Sequence, residues 1–207
     1  MARKAGKAGP DHNKLFELAS QQAGYFTTEQ ARRYYFNWDV LSYHTRKGHF
    51  LRARRGLYRL VRFPASLHEE VIAAWLAFGR QAAVVSHESA LQLFDLADVV
   101  PTKVHLTVPR AKRSRKPPPG VKIHTAMNAL KRHDTMVLHG VRVTTPARSI
   151  TDSAAYGTAP EQIARATQEA LRRGLATRSE LLTAGRHHGG GRGEKLIRQA
   201  LEEVRAG

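Results

Sequence analysis

An α+β fold is predicted by three features of the 207-residue chain. Apolar residues recur at helical spacing through the first third. A short helix at Asn37–Lys47 then runs into a tight ribbon turning at Arg55-Gly56. Beyond residue 65, strand-like runs at 103–108, 121–125 and 135–144 alternate with helical segments. Hydrophobic residues make up 42% of the chain, enough for a real core. We expect a basic tail at 1–10, a first domain at 11–64 and a second, mixed α+β domain at 65–207.

The elements follow in order. Residues 1–10, MARKAGKAGP, are basic and small and read as a disordered terminus. Leu15, Phe16, Leu18 and Ala19 form the seam of a first helix within 11–22, which Gly24 breaks. Thr27 with Gln30 three residues on is a capping-box signal that opens a second helix reaching Tyr34 or Tyr35. Asn37 is placed to cap a third, and Gly48 supplies the positive φ that ends it, with Arg46 and Lys47 at its carboxyl end. On this helix Trp38, Leu41 and Thr45 are expected to face inward, with Asp39, Tyr43 and Arg46 opposite, flanked by Ser42 and Lys47. His44 lies nearer the buried side and reads as packing or bridging to the hairpin. In the ribbon, Phe50, Leu51, Leu57 and Leu60 are the inward candidates, and Arg52, Arg54, Arg55 and Arg59 the outward ones. Three helices and a basic hairpin make a winged helix-turn-helix, so the predicted fold is an N-terminal winged helix-turn-helix followed by a mixed α+β C-terminal domain.

Between Val40 and His68 there are seven Lys/Arg and no carboxylate. An ordinary solvent face mixes both signs, so this one-sidedness indicates a polyanionic partner, as does the net charge of +17. Double-stranded DNA is the expected partner. The candidate contacts are Thr28, Asn37, Asp39, Ser42, Tyr43, Arg46 and Lys47 from the helices. Arg52, Arg54, Arg55 and Arg59 are added from the hairpin. A second basic patch, Arg110, Lys112, Arg113, Arg115 and Lys116, packs five cations into seven residues ahead of three prolines. It reads as a solvated loop with a secondary role toward phosphate or an acidic protein.

In the second domain a helix is expected over 67–79, a short strand at 82–85, and a helix capped by Ser86 through Phe94. His139-Gly140 marks a hairpin turn. Pro146 opens a helix to Ala155, 161–173 and 179–184 add two more, Gly189–Gly191 reads as a flexible joint, and Glu194–Val204 closes the chain. Phe63-Pro64-Ala65-Ser66 is the expected junction between the domains.

Enzyme signatures are absent. His87-Glu88 has no second histidine at helical spacing and reads as a solvent-facing pair. His187-His188 beside glycines reads as a mobile loop, and GGGRGEK at 189–195 lacks P-loop spacing. No catalysis, metal or cofactor is therefore expected. Without cysteine there are no disulfides or thiolate metal sites. The amino terminus has no signal-peptide run and no stretch approaches the ~20 apolar residues of a membrane span, so a cytoplasmic protein without membrane association is expected.

The runs YFTTEQA at 25–31, Leu41-Ser42-Tyr43-His44, Gly48-His49-Phe50 and Arg54-Arg55-Gly56-Leu57-Tyr58 resemble the winged-helix domain of AbiEi-type antitoxins. PASLHEEVIAAWLA at 64–77, VVSHESALQL at 84–93, VHLTVPR at 104–110 and TTPARSITD at 144–152 are similar to the carboxyl-terminal part of the same family. The resemblance spans roughly 14–182. It implies the antitoxin of a type IV toxin–antitoxin (abortive-infection) system, which represses its own operon at inverted repeats and antagonises a nucleotidyltransferase toxin. The alternative is a stand-alone protein-interaction module that neutralises an acidic partner without specific DNA binding. A DNA-processing nuclease ranks below both.

Overall fold

The computed structural model describes residues 9–126 and 130–206. The chain divides into two compact units, 1–77 and 78–207. The tail expected over 1–10 lies outside the described residues except for Gly9 and Pro10.

The first unit runs α1 (His12–Ser20), β1 (Tyr25–Thr27), α2 (Thr28–Arg32), α3 (Trp38–Arg46), β2 (Phe50–Arg54), β3 (Leu57–Leu60) and α4 (Glu69–Phe78), which ends at the division between the units. The three strands form one antiparallel sheet in the order β1-β3-β2. This is the winged helix-turn-helix. Its local punctuation is as the sequence dictates. Thr27 and Gln30 complete a reciprocal capping box, Asn37 accepts from the Val40 amide, and Gly48 takes φ 72°. The core gathers Leu15, Ala19, Phe26, Ala31, Phe36, Leu41, Phe50 and Tyr58.

Several expectations are corrected. The strand β1 had no reading of its own; three residues are too few to display alternation. Helix α2 stops at Arg32, because Tyr35 turns left-handed at φ 64°. Trp38 is 71% exposed although Leu41 is fully buried. As the first helical residue its side chain projects toward the amino end, past the body of the unit. Leu51 also faces solvent, since its neighbour Phe50 takes the inward position and side chains alternate along a strand. Glu69 of α4 pairs with groups on β1 and β3, which ties the start of this helix to the winged helix rather than to the second unit.

The second unit contains β4 (Val84–Val85), α5 (His87–Phe94), β5 (Val104–Val108), β6 (Val121–Thr125), β7 (Thr135–Leu138) and β8 (Val141–Thr144). Four helices follow: α6 (Pro146–Tyr156), α7 (Pro160–Arg172), α8 (Arg178–His188) and α9 (Gly190–Ala206). The five strands make a mixed sheet in the order β6-β5-β4-β8-β7. Pairing is parallel for β5–β6 and β4–β8 and antiparallel for β4–β5 and β7–β8. Helix α6 packs against α5, α7, α8 and α9, and eight of its eleven residues are buried. The turn at His139-Gly140 and the helix start at Pro146 stand where the sequence puts them.

The glycine run at 189–191 is a tight helix junction rather than a flexible joint. A Cβ on Gly189 would sit 2.6 Å from both the Glu194 amide nitrogen and the Gly185 carbonyl oxygen. Backbone atoms on two helices cannot move aside cheaply, so glycine is required there by close approach. Gly191, inside α9, has open space around its Cα. Gly189→Ala should therefore destabilise the protein by about 1–3 kcal/mol, while Gly191→Ala should stabilise it by up to about 1 kcal/mol through helix propensity. Denaturant melts of the two variants check this; equal, negligible effects would restore the linker reading.

Candidate nucleic-acid interface

Burial of Leu41 against the aromatic core sets the rotation of α3 and hence what the helix presents outward. Asp39, Tyr43, Arg46 and Lys47 are exposed, Ser42 is half-buried, and the Lys47 ammonium lies 5.9 Å from the centre of the Tyr43 ring. Trp38 and Tyr43 add two solvent-facing aromatics to this surface, of which the sequence pattern identified only Tyr43. Asn37 is exposed but its side-chain oxygen is spent on the cap.

The hairpin turns at Arg55-Gly56, with Gly56 at φ 75° and a register irregularity between Arg52 and Arg54. Its tip is fastened to the start of α2, where the Thr28 amide donates to the Gly56 carbonyl at 2.9 Å. Thr28 is half-buried in this contact, while Arg52 and Arg55 are exposed and Arg54 is half-buried. These charges stand on a ribbon with a fixed tip.

Arg59 departs from its expected outward place. Its side chain is only 12% exposed and pairs with Glu69, Nε to carboxylate oxygen at 3.1 Å. It also donates to the carbonyls of Phe63 and Pro64. Tyr25 donates to the same Glu69 at 2.9 Å, and burial together with that bond pushes its hydroxyl up to about 12. Arg59 thus joins the hairpin to the start of α4. Alternation along β3 gave no sign of this, because Glu69 lies ten residues away.

His44 takes the bridging place read for it. It packs on the rings of Phe50 and Phe36, stands edge-on to His12, and places its Nδ1 2.9 Å from Nδ1 of His49. Burial, then the nearby His12 and His49, lowers its pKa below the ordinary histidine value.

In the second unit, Arg110, Lys112, Arg113 and Lys116 are exposed on a loop that begins with a single 3-10 turn, Arg110–Lys112. Arg115 is anchored, its guanidinium 4.8 Å from the centre of the Phe78 ring. The patch is a solvated loop with one fixed residue.

The same unit holds a site the sequence reading missed. A cavity of about 480 Å³ is bordered by His87, His124, Arg148, Asp152, Tyr156 and His188, among others. His87 is 8% exposed rather than solvent-facing and takes left-handed φ 53° at the first position of α5. Its Nδ1 lies 2.9 Å from the Ser86 hydroxyl, which accepts from Thr107 instead of capping the helix. His87 stacks on His124 with ring centres 3.6 Å apart, and His124 Nε2 is 3.2 Å from His105 Nδ1. Desolvation lowers the pKa of all three, His124 to about 4. On α6, Arg148 donates to Asp152 at 2.8 Å; burial nonetheless raises Asp152 to about 6, and its other oxygen has no hydrogen-bond partner. His187 and His188 are the last turn of α8, not a loop, and His188 approaches Asp134 at 3.7 Å. The one visible signal was polar alternation in two strands, His105-x-Thr107 and Lys122-x-His124, whose register places them on a common face of the sheet.

The fold and its exposed basic face define a winged-helix regulator architecture. Residues 13–61 match the family model described as transcriptional regulator, AbiEi antitoxin. Among solved structures, the chain resembles the RV2827C protein from Mycobacterium tuberculosis, with a TM-score of 0.56 at 14% identity, over 95% of this chain and 80% of that one. That likeness extends the shared fold to the second unit. No curated protein matches the chain. No described helix is long and apolar enough to cross a membrane.

The lowered pKa of His44 has a definite sign. A folded pKa below the unfolded value of about 6.5 stabilises the neutral form. The contribution is full above that pH and is lost as pH falls through the folded value. Thermal melts from pH 7 to 5 should show a declining midpoint with a smaller decline in His44→Ala, which should also melt lower at pH 7. An unchanged pH dependence in the variant would remove His44 from that role.

Proposed function

We propose that this protein is a DNA-binding transcriptional repressor serving as the antitoxin of a type IV toxin–antitoxin system. In this reading it works in the cytoplasm, binds inverted repeats in its own operon and antagonises a nucleotidyltransferase toxin. The observation that carries the DNA-binding part is the surface made by α3 and the hairpin. Arg46, Lys47, Arg52, Arg55 and Arg62 are exposed there, on a segment without a carboxylate between Val40 and His68. The family description of residues 13–61 supports the antitoxin part.

The division of labour follows from position. Arg46 and Tyr43 lie outward on α3, where a helix seated in the major groove meets base edges; arginine binds guanine in a bidentate way and tyrosine reaches a phosphate or a thymine methyl. Arg52 and Arg55 on the ribbon neutralise phosphates. Arg59, held by Glu69, takes no part.

The four cations directed at phosphate, Lys47, Arg52, Arg55 and Arg62, give a slope of log K against log salt of about −3.6. Footprinting and salt titration on the chain's own promoter test this, and tight binding with a slope near zero would discard the electrostatic account. Arg46→Ala should cost roughly 1–3 kcal/mol on the operator and much less on random duplex. Arg55→Ala should weaken both alike and flatten the slope by about 1. Arg59→Ala should leave the slope unchanged and lower the melting temperature instead. If no duplex is protected while the chain still rescues cells from a co-expressed toxin, the protein-interaction module is the correct reading.

A further inference from the structure

We propose that His87, His105 and His124 form a binding site for a divalent transition-metal ion of the zinc class, opening onto the cavity of the second unit. The three residues come from α5, β5 and β6, and each offers a ring nitrogen, all three within 4.8 Å of one another. Among the described residues this is the one such grouping of three potential ligands.

The spacing fits the chemistry. Two imidazole nitrogens bound at ~2.0–2.1 Å on a tetrahedral ion stand about 3.3 Å apart. The His124 Nε2 to His105 Nδ1 separation is 3.2 Å, one edge of such a tetrahedron. The separations from the His87 nitrogen lie within 4.8 Å. The His87 and His124 rings lie stacked with centres 3.6 Å apart at an interplanar angle of 19°, so one of them must turn out of the stack for both lone pairs to meet a single ion. One further feature suits an ion. The Ser86 hydroxyl sits against His87 Nδ1, which leaves His87 Nε2 as its ligand atom, a hydrogen-bonded support of the kind that orients metal-binding histidines.

Three imidazoles favour zinc, copper, nickel or iron over magnesium or calcium, which prefer oxygen. With three protein ligands, the fourth position belongs to water or a small ligand entering from the cavity, which both His87 and His124 line. The site lies outside the DNA-binding unit and does not depend on the proposed repressor role.

The experiment uses tag-free full-length protein, stripped with a chelator and titrated with zinc chloride under equilibrium dialysis. X-ray absorption on the zinc-loaded protein then counts its ligands. One equivalent of zinc with three imidazole nitrogens is expected. His124→Ala should weaken binding at least about tenfold, whereas His187→Ala and His49→Ala should not. Absence of stoichiometric binding by the wild-type chain, or fewer than three imidazole ligands, would overturn the proposal. So would loss of binding in His187→Ala with binding intact in His124→Ala. Where His124→Ala fails to fold, the ligand count on the wild-type protein decides.

Discussion

Leu41 is the residue on which the interface depends. Helix α3 is nine residues long, so a single deeply buried side chain is enough to fix its rotation. With Leu41 seated among Phe26, Phe36 and Phe50, helical geometry alone turns Tyr43 and Arg46 outward. His44, between them in sequence, must then lie along the flank against Phe50, where it links the helix to β2. In the proposed reading, base recognition and phosphate binding are thus aligned by one packing contact. The hairpin is held by a second constraint, the bond from the Thr28 amide to the Gly56 carbonyl, so its arginines do not have to be ordered from a loose loop at the cost of binding energy.

Arg59 shows the complementary principle. A cation on a basic ribbon would ordinarily add to the phosphate-binding surface. Here the Glu69 carboxylate receives both Arg59 and Tyr25, at 3.1 and 2.9 Å, in a place little exposed to water. Removing Arg59 would leave the partly solvated Glu69 carboxylate without its charged partner, which should destabilise the fold. Its work is to fix the chain that leaves β3.

What the sequence disclosed is local. The capping box at Thr27, the Asn37 cap, the Gly48 stop and the turns at Gly56 and Gly140 each depend on residues within four positions of one another, and each is found where it was read. What stayed hidden depends on distance along the chain. Glu69 reaches Arg59 across ten positions, Glu194 backbone meets Gly189 across a helix junction, and His87, His105 and His124 converge from three elements. Trp38 and Leu51 were misplaced for another reason. Hydrophobic character does not by itself mean burial: a first-turn residue and the neighbour of an inward strand residue have nothing to pack beneath.

The histidine cluster illustrates why motif spacing is a poor guide to such sites. A metal motif on one helix carries its ligands four residues apart and is visible in a line of sequence. A site built across a sheet has no fixed spacing, since strand register rather than chain separation sets which residues meet. Here parallel pairing of β5 and β6 sets Thr107 beside His124 and His105 beside Lys122, all on one face. Helix α6 then closes that face with Arg148, Asp152 and Tyr156 at successive turns. A buried polar group must find a partner or lose several kcal/mol. The hydrogen bonds of Ser86, Thr107 and Arg148 answer that demand for part of the cavity wall, while one oxygen of Asp152 remains unpaired. A stable core would fill this space with aliphatic side chains, as β5 does on its opposite face with Val104, Leu106 and Val108. Polar side chains gathered on one face of a strand whose other face is wholly apolar are therefore there for something other than packing.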